Sequence, residues 1–324
     1  MWCRHLGDYN LRPGVKDLSG RIMLDRALVQ LTQELYDYLR RQYVTSEEIS
    51  VFLCGGSDPV DVKLRSEIGL KLEKRKSKYR YVVYFAEDMF SELIYGHQRW
   101  DLLTLENLLA QGVLSVVILL QSPGTFTELG AFSNHPQLRD KLILVVDPKF
   151  HRSKSFINHG PLRYLQTQTK SKVLWENMRP ETAEDLTDAI GNALRHMAKH
   201  SQQYMNLTNP ISSCRFFLSL VYVFDPIRRQ FILDFSKAIA EKTQLDLVDA
   251  SVKTAINFLI RKRLLTGSDI LSISDSGIQE LIHENTTRSR ARIFARYLSE
   301  LRIRALNLTL RKGGQKTWGV EARL

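Results

Sequence analysis

The spacing of apolar positions changes character along the chain. Residues 24–41, LDRALVQLTQELYDYLRR, place Leu24, Leu28, Leu31, Leu35 and Leu39 three and four residues apart, which predicts an amphipathic helix. From Ser50 to about Trp175, short β-branched runs alternate with helical stretches: SVFLC (50–54), YVVYF (81–85), LSVVILL (114–120), KLILVV (141–146) and KVLW (172–175). Runs of this kind, roughly 20 to 30 residues apart, predict an α/β doubly wound parallel sheet with crossover helices on both faces. In such sheets ligands bind at the carboxyl ends of the strands. Residues 181–205 predict a helical connector, ended by the turn-forming NLTNP, and 230–243 and 247–263 predict two helices across a short polar turn. The stretch LLTGSDILSISDSGIQELI continues as a two-strand wing and another helix.

Helix, turn, a second helix bearing Lys253, Arg261, Lys262 and Arg263, then a wing resembles the winged helix-turn-helix, although a three-helix dimerisation module fits the same order. The expected division is 1–49 as an N-terminal helical extension, 50–176 as the α/β domain, 177–212 as a connector, and 213–324 as a winged-helix domain with a basic tail. Charge sharpens the last assignment. Of a net +11, the final forty residues from Asn285 carry +8, with ten basic residues, Arg288, Arg290 and Arg292 among them, against two acidic ones. A one-ended surplus is the footprint of a polyanion-binding module, and a solvated basic helix is the alternative.

The rest of the composition mainly excludes. The 324 residues, 44% hydrophobic and 25% charged, match a folded chain of about two domains rather than a disordered one. The longest apolar run, Val116 to Leu120, is far below the ~20 residues of a membrane helix, and MWCRHLGDYNLRPG lacks a signal-peptide core, so the expectation is a cytoplasmic protein without membrane association. Cys3, Cys54 and Cys214 form no CxxC pair or Cys/His cluster, so no metal site is expected.

Candidate chemistry follows the strands. Cys54-Gly55-Gly56-Ser57-Asp58 ends the first, where a glycine pair lets the backbone approach a phosphate. Glu87 and Asp88 end the second, either as ligand-binding groups or as an acidic helix start. After the third, QSPGTFTELGAF delivers the chain through a Pro-Gly turn into a helix with Glu128 expected in its first turn. Thr125-x-x-Glu128 is also a capping box, so a reactive carboxylate and a structural cap both fit. Glu106 and Asn107, before the third strand, either orient a ligand or line an exposed helix face, and Asn134 and Asn158 are weaker candidates. His97, His135, His151 and His159 share no ligand spacing, and Phe85, Phe126 and Phe132 are expected in the core rather than stacked on a base.

The strand-SPGTFTELGAF-helix segment resembles the motif of nucleoside 2-deoxyribosyltransferases. The likeness is closer to the deoxyribosyltransferase-like toxin effectors of bacterial retron anti-phage systems, carried by FLCGG (52–56), YFAEDMF (84–90), LTLENLLA (103–110), SPGTFTELGAFSN (122–134) and KSFINHGPLR (154–163), with a winged helix following in the same order. The resemblance implies an N-glycosidase domain in which Glu128 is the nucleophile at the anomeric carbon, with Gly55, Gly56, Ser57, Asp88, Glu106, Asn107, Ser122, Gly124, Thr125 and Asn134 around the substrate. Two positions depart from the transferases, which often carry acidic residues where this chain has Leu114 and Ser122. A nucleobase leaving as an anion needs a second carboxyl group, whereas nicotinamide leaves NAD as a neutral molecule. The resemblance therefore implies NAD or a related nucleotide as substrate, with no cofactor. It also implies two partners, a retron reverse transcriptase and its multicopy single-stranded DNA/RNA. A nucleic-acid-binding regulator that senses a nucleotide without turnover, and a true deoxyribosyltransferase, are the alternatives; the assembly state is open, a higher-order oligomer included.

Overall fold

The computed structural model describes residues 26–43, 48–89, 101–199, 205–240, 245–283, 288–311, 316–317 and 320–321. Five parallel strands, β1 (Glu48–Cys54), β2 (Arg80–Tyr84), β3 (Ser115–Leu119), β4 (Leu142–Val146) and β5 (Lys172–Trp175), form one sheet in the order β2-β1-β3-β4-β5. They coincide with the five apolar runs. The order reverses direction between β1 and β3, where Cys54 pairs with Ile118, so the crevice of this sheet opens at the carboxyl ends of those two strands.

Both sheet faces are covered, which is why the strands are almost continuously apolar. Ile49, Val51, Leu53, Val117 and Leu119 pack under α2 (Pro59–Lys74) and α6 (Ala183–Ala198). Phe52, Cys54, Val116 and Ile118 face α3 (Leu102–Gly112) and α4 (Pro123–Ser133). The short α5 (Arg163–Gln168) leads into β5. Helix α6, expected as a connector, thus covers the sheet: Leu186, Ile190 and Leu194 are fully buried against it.

The C-terminal body is built around α7 (Pro210–Phe224), a helix buried on nearly every side that apolar spacing does not mark, because a periodic stripe requires an exposed face. Asn209 starts it, its side chain accepting from the amides of Ile211 and Ser212 with Pro210 next. Around it lie α8 (Arg229–Ile239), α9 (Leu245–Arg261), α10 (Asp275–His283) and α11 (Arg288–Arg311). Three short strands, β6 (Ile227–Arg228), β7 (Leu265–Thr266) and β8 (Ile270–Ile273), are antiparallel in the order β6-β8-β7, the last two lying in the stretch expected to form a two-strand wing. Gly267, with φ +92°, makes the β7–β8 turn, where a Cβ would lie 1.9 Å from the carbonyl oxygen of Ile270. A short pair, β9 (Lys316–Thr317) and β10 (Val320–Glu321), follows.

Helix α1 (Arg26–Tyr43), expected as an extension, belongs to this body. Leu31, Leu35 and Leu39 are buried, Tyr38 stacks on Tyr297 at 4.0 Å, and Glu34 forms a two-pronged pair with Arg304 at 2.7 and 3.1 Å. A single apolar core runs from the α3/α4 face of the sheet through α7 into α9 and α11. Among the described residues no helix is long and apolar enough to cross a membrane.

Candidate active site

Four elements converge at the β1/β3 crevice. Helix α4 begins one turn earlier than expected: Ser122 is its N-cap, its hydroxyl accepting from the amide of Thr125 while the Thr125 hydroxyl accepts from that of Ser122. The capping box is therefore Ser122–Thr125, and Glu128, in the second turn, caps nothing. Its carboxylate points inward beside the Cys54 thiol, and Oε2 is buried with no hydrogen-bond partner. Burial, the neighbouring Glu106 carboxylate and the more distant Glu87 push Glu128 up to about 8, opposed by the Cys54 hydrogen bond and Arg65. Glu106, on α3, is raised to about 7 by burial and by Glu87. Burial and the two glutamates hold the Cys54 thiol well above its usual range. Asn107 presents a second buried, unpartnered oxygen, Oδ1.

Arg65 is the cation of this site, and the motifs do not point to it. Its side chain is only 10% exposed; it pairs with Glu87, donates to the Gly55 carbonyl at 3.4 Å and lies 5.7 Å over the Phe85 ring. Its Nε is buried without a partner. The available signal is a charged residue within an apolar stripe, since Leu64, Arg65, Ile68, Gly69 and Leu72 are the buried positions of α2.

The glycine pair has an internal explanation. A Cβ at Gly55 would press the Arg65 Cδ at 3.1 Å, and one at Gly56 would meet Asp61 Oδ2 at 2.0 Å. Asp61 accepts from Gln121 at 2.9 Å, and Gln121 Oε1 accepts from the Gly56 amide at 3.4 Å, closing the β1 loop onto the β3 loop. These glycines make room for Arg65 and Asp61, whereas a Cβ at Gly124 would meet only the Ser122 hydroxyl at 3.7 Å.

Glu128, Glu106, Gly55, Gly56, Ser122, Gly124 and Thr125 therefore share the carboxyl edge of the sheet, and Asn107 follows Glu106 on α3. Ser57 is exposed beside them, and Asp88 follows β2. Asn134 is not brought in, because it caps the far end of the 11-residue α4, about 16 Å along the axis. Asn158 secures a loop, donating to the carbonyls of Phe150 and Ser153 at 2.7 and 2.8 Å. His151 packs edge-on to Trp175, and His97 lies outside the described residues. Phe132 is core, Phe85 is half-buried, and Phe126, expected in the core, is 37% exposed on the first turn of α4.

The basic candidates divide. Lys253 pairs with Asp249 at 2.8 Å, and Lys262 lies over the Phe258 ring. Arg261 turns back to the α/β half, donating to main-chain carbonyls of Glu87 and Asp88. Arg263 is exposed with φ +58°, and Arg292 is exposed on α11, while the side chains of Arg288 and Arg290 lie outside the described residues.

Comparison with known proteins adds family information. A family model described as the STM3845 retron effector protein matches residues 62–267. An Escherichia coli protein named "Retron Ec86 putative ribosyltransferase/DNA-binding protein" is 28% identical over 282 residues, covering 82% of this chain and 86% of the relative. A second from Escherichia coli, "Retron Ec73 putative ribosyltransferase/DNA-binding protein", is 37% identical over 127 residues, covering 37% and 39%.

Proposed function

The chain belongs to the STM3845 retron effector family, and from that premise we propose that it is an N-glycosidase of deoxyribosyltransferase-like fold, acting on NAD or a related nucleotide. The observation that carries this reading is the Glu128 carboxylate, buried at the crevice with a free oxygen, released from any capping role and flanked by Glu106. Once ionised, such a carboxylate is poised for attack on an anomeric carbon. An oxygen of Glu128 bonds to C1′ as the glycosidic bond breaks, and its electron pair passes to the pyridinium nitrogen, so nicotinamide leaves neutral. Water then attacks C1′, restoring the Glu128 carboxylate and giving its proton to Glu106.

The charge of the site supports a cationic leaving group. Among the described groups that bear on the Glu128 carboxyl, two further carboxylates, Glu106 and Glu87, stand against one guanidinium, Arg65, already paired with Glu87. A positively charged ring relieves that excess and favours the ionised form of Glu128. The C-terminal body, read as winged-helix-like, would bind the retron's multicopy single-stranded DNA, and the complex with the reverse transcriptase would restrain turnover. Incubating purified protein with NAD tests the chemistry: nicotinamide release, lost in Glu128→Gln, is expected, and binding of nucleotide without release would favour a non-catalytic sensor.

A further inference from the structure

Both walls of the carboxylate site are held from the C-terminal body. Arg261, at the end of α9, donates through Nη1 to the carbonyl oxygen of Asp88 at 2.7 Å and that of Glu87 at 3.3 Å. One turn earlier the Phe258 ring packs against Tyr84, the last residue of β2, with centroids 5.5 Å apart. On the opposite wall, Asn209 Nδ2 donates to the Leu108 carbonyl of α3, the helix that carries Glu106. Gly112 makes that approach feasible, since a Cβ there would lie 2.0 Å from Asn209 Oδ1.

Of these contacts Arg261 has the more direct line to the chemistry. The segment it grips follows an edge strand, paired on one side only, and the Glu87 side chain is half-exposed. Glu87 pairs with Arg65, and Arg65 reaches the Gly55 carbonyl at the end of β1. We propose that Arg261 is a positioning residue of the active site: by fixing the main chain at 87–88 it sets where Glu87, and through it Arg65, stand relative to Glu128. The α/β half is then an incomplete enzyme without the C-terminal body. This rests on Glu128 being the reactive group.

The groups that bear on Glu128 are Cys54 from β1, Arg65 from α2, Glu87 beyond β2 and Glu106 from α3. With Arg261 gone, Glu87 swings outward, a negative charge leaves the site, and Arg65 loses its ion-pair partner while it stays beside Glu128. Both changes favour the ionised carboxylate, so Glu128 should lose its proton at lower pH.

The test is a titration of full-length protein carrying carboxyl-13C glutamate, with the Glu128 signal assigned from its absence in Glu128→Gln. In Arg261→Gln the midpoint should fall by about half a pH unit or more, and Arg261→Lys should give a smaller shift of the same sign. Arg228→Gln, which removes an ion pair with Asp269 across the wing, should leave it unmoved. A folded Arg261→Gln with the wild-type midpoint, or an Arg228→Gln that shifts as far, overturns the proposal. Should Arg261→Gln not fold, an unshifted Arg261→Lys does so. The readout needs no substrate, so absence of nicotinamide release from the wild type would defeat the assigned chemistry while the titration still decides the role of Arg261.

Discussion

At Glu128 the fold keeps a carboxylate where burial and two other glutamates oppose its charge, and this has opposite consequences for stability and turnover. Its pKa is raised from 4.5 to about 8, so the folded protein binds the proton more tightly than the unfolded chain does. Stability is therefore full below about pH 4.5 and is lost as the pH rises toward 8. Glu128→Gln removes that loss: the variant should melt like the wild type at pH 4 and be more stable by several kcal/mol at pH 8.5, up to about 5 at about 1.4 kcal/mol per unit. Calorimetry at the two pH values checks this, and a destabilised variant at pH 8.5 would return the residue to a structural role. Its nicotinamide release should fall about a thousandfold, corresponding to ~4 kcal/mol of transition-state stabilisation. In the wild type, kcat/KM for NAD should climb about tenfold per pH unit below the midpoint and level near pH 8. The kcat profile should level at lower pH, because a bound cationic ring favours the carboxylate; a kcat midpoint above that of kcat/KM would contradict a cationic substrate.

Among the elements, the end of α9 has a testable peculiarity. The amide of Leu264 donates to the carbonyl of Leu259 at 2.9 Å and that of Arg263 to Ile260 at 2.8 Å, with Arg263 in the left-handed region that glycine normally fills. Arg263→Gly should therefore raise stability by about 0.5 to 1 kcal/mol, read as a higher denaturant midpoint at unchanged slope, and a loss would mean the arginine side chain supports the cap. The legible parts of the fold are those with one periodic signal. Five β-branched runs form five strands, and α8 and α9 lie within a few residues of their expected bounds. Helix α7 is hidden because burial on all sides erases its period, and the periodicity of α1 and α6 marks them as helices without showing what they cover. The same division holds at the site: Glu128 and Glu106 lie in visible motifs, whereas Arg65 is recruited from a helix face by the segments that follow β1 and β2. The roles of Gly55 and Gly56 depend on side chains ten and five positions away, beyond any local pattern.

For the molecule as a whole, the basic surplus and the continuous core have to be considered together. Helix α11 supplies positive charge at Arg292 and Arg296, yet it also buries Phe294, Leu298, Leu301 and Ala305, so removing the tail before it would strip the core. The proposed nucleic-acid interface is better tested by substitution. Arg292→Gln with Arg296→Gln should weaken binding of single-stranded DNA and reduce the slope of log K against log salt by roughly 0.7 for each phosphate no longer neutralised; an unchanged slope would place the interface elsewhere. Expression of the protein alone should slow growth, and co-expression of its reverse transcriptase and DNA should relieve that effect; equal growth would count against restraint by partners. The unbroken core has a thermodynamic corollary. The α/β and C-terminal halves, sharing one apolar interior, melt as one cooperative unit, and scanning calorimetry should record a single peak. A ligand held only by the C-terminal body then lends its binding energy to the whole unit: DNA at about a hundred times its Kd would add ~2.7 kcal/mol to the unfolding of the sheet it never touches.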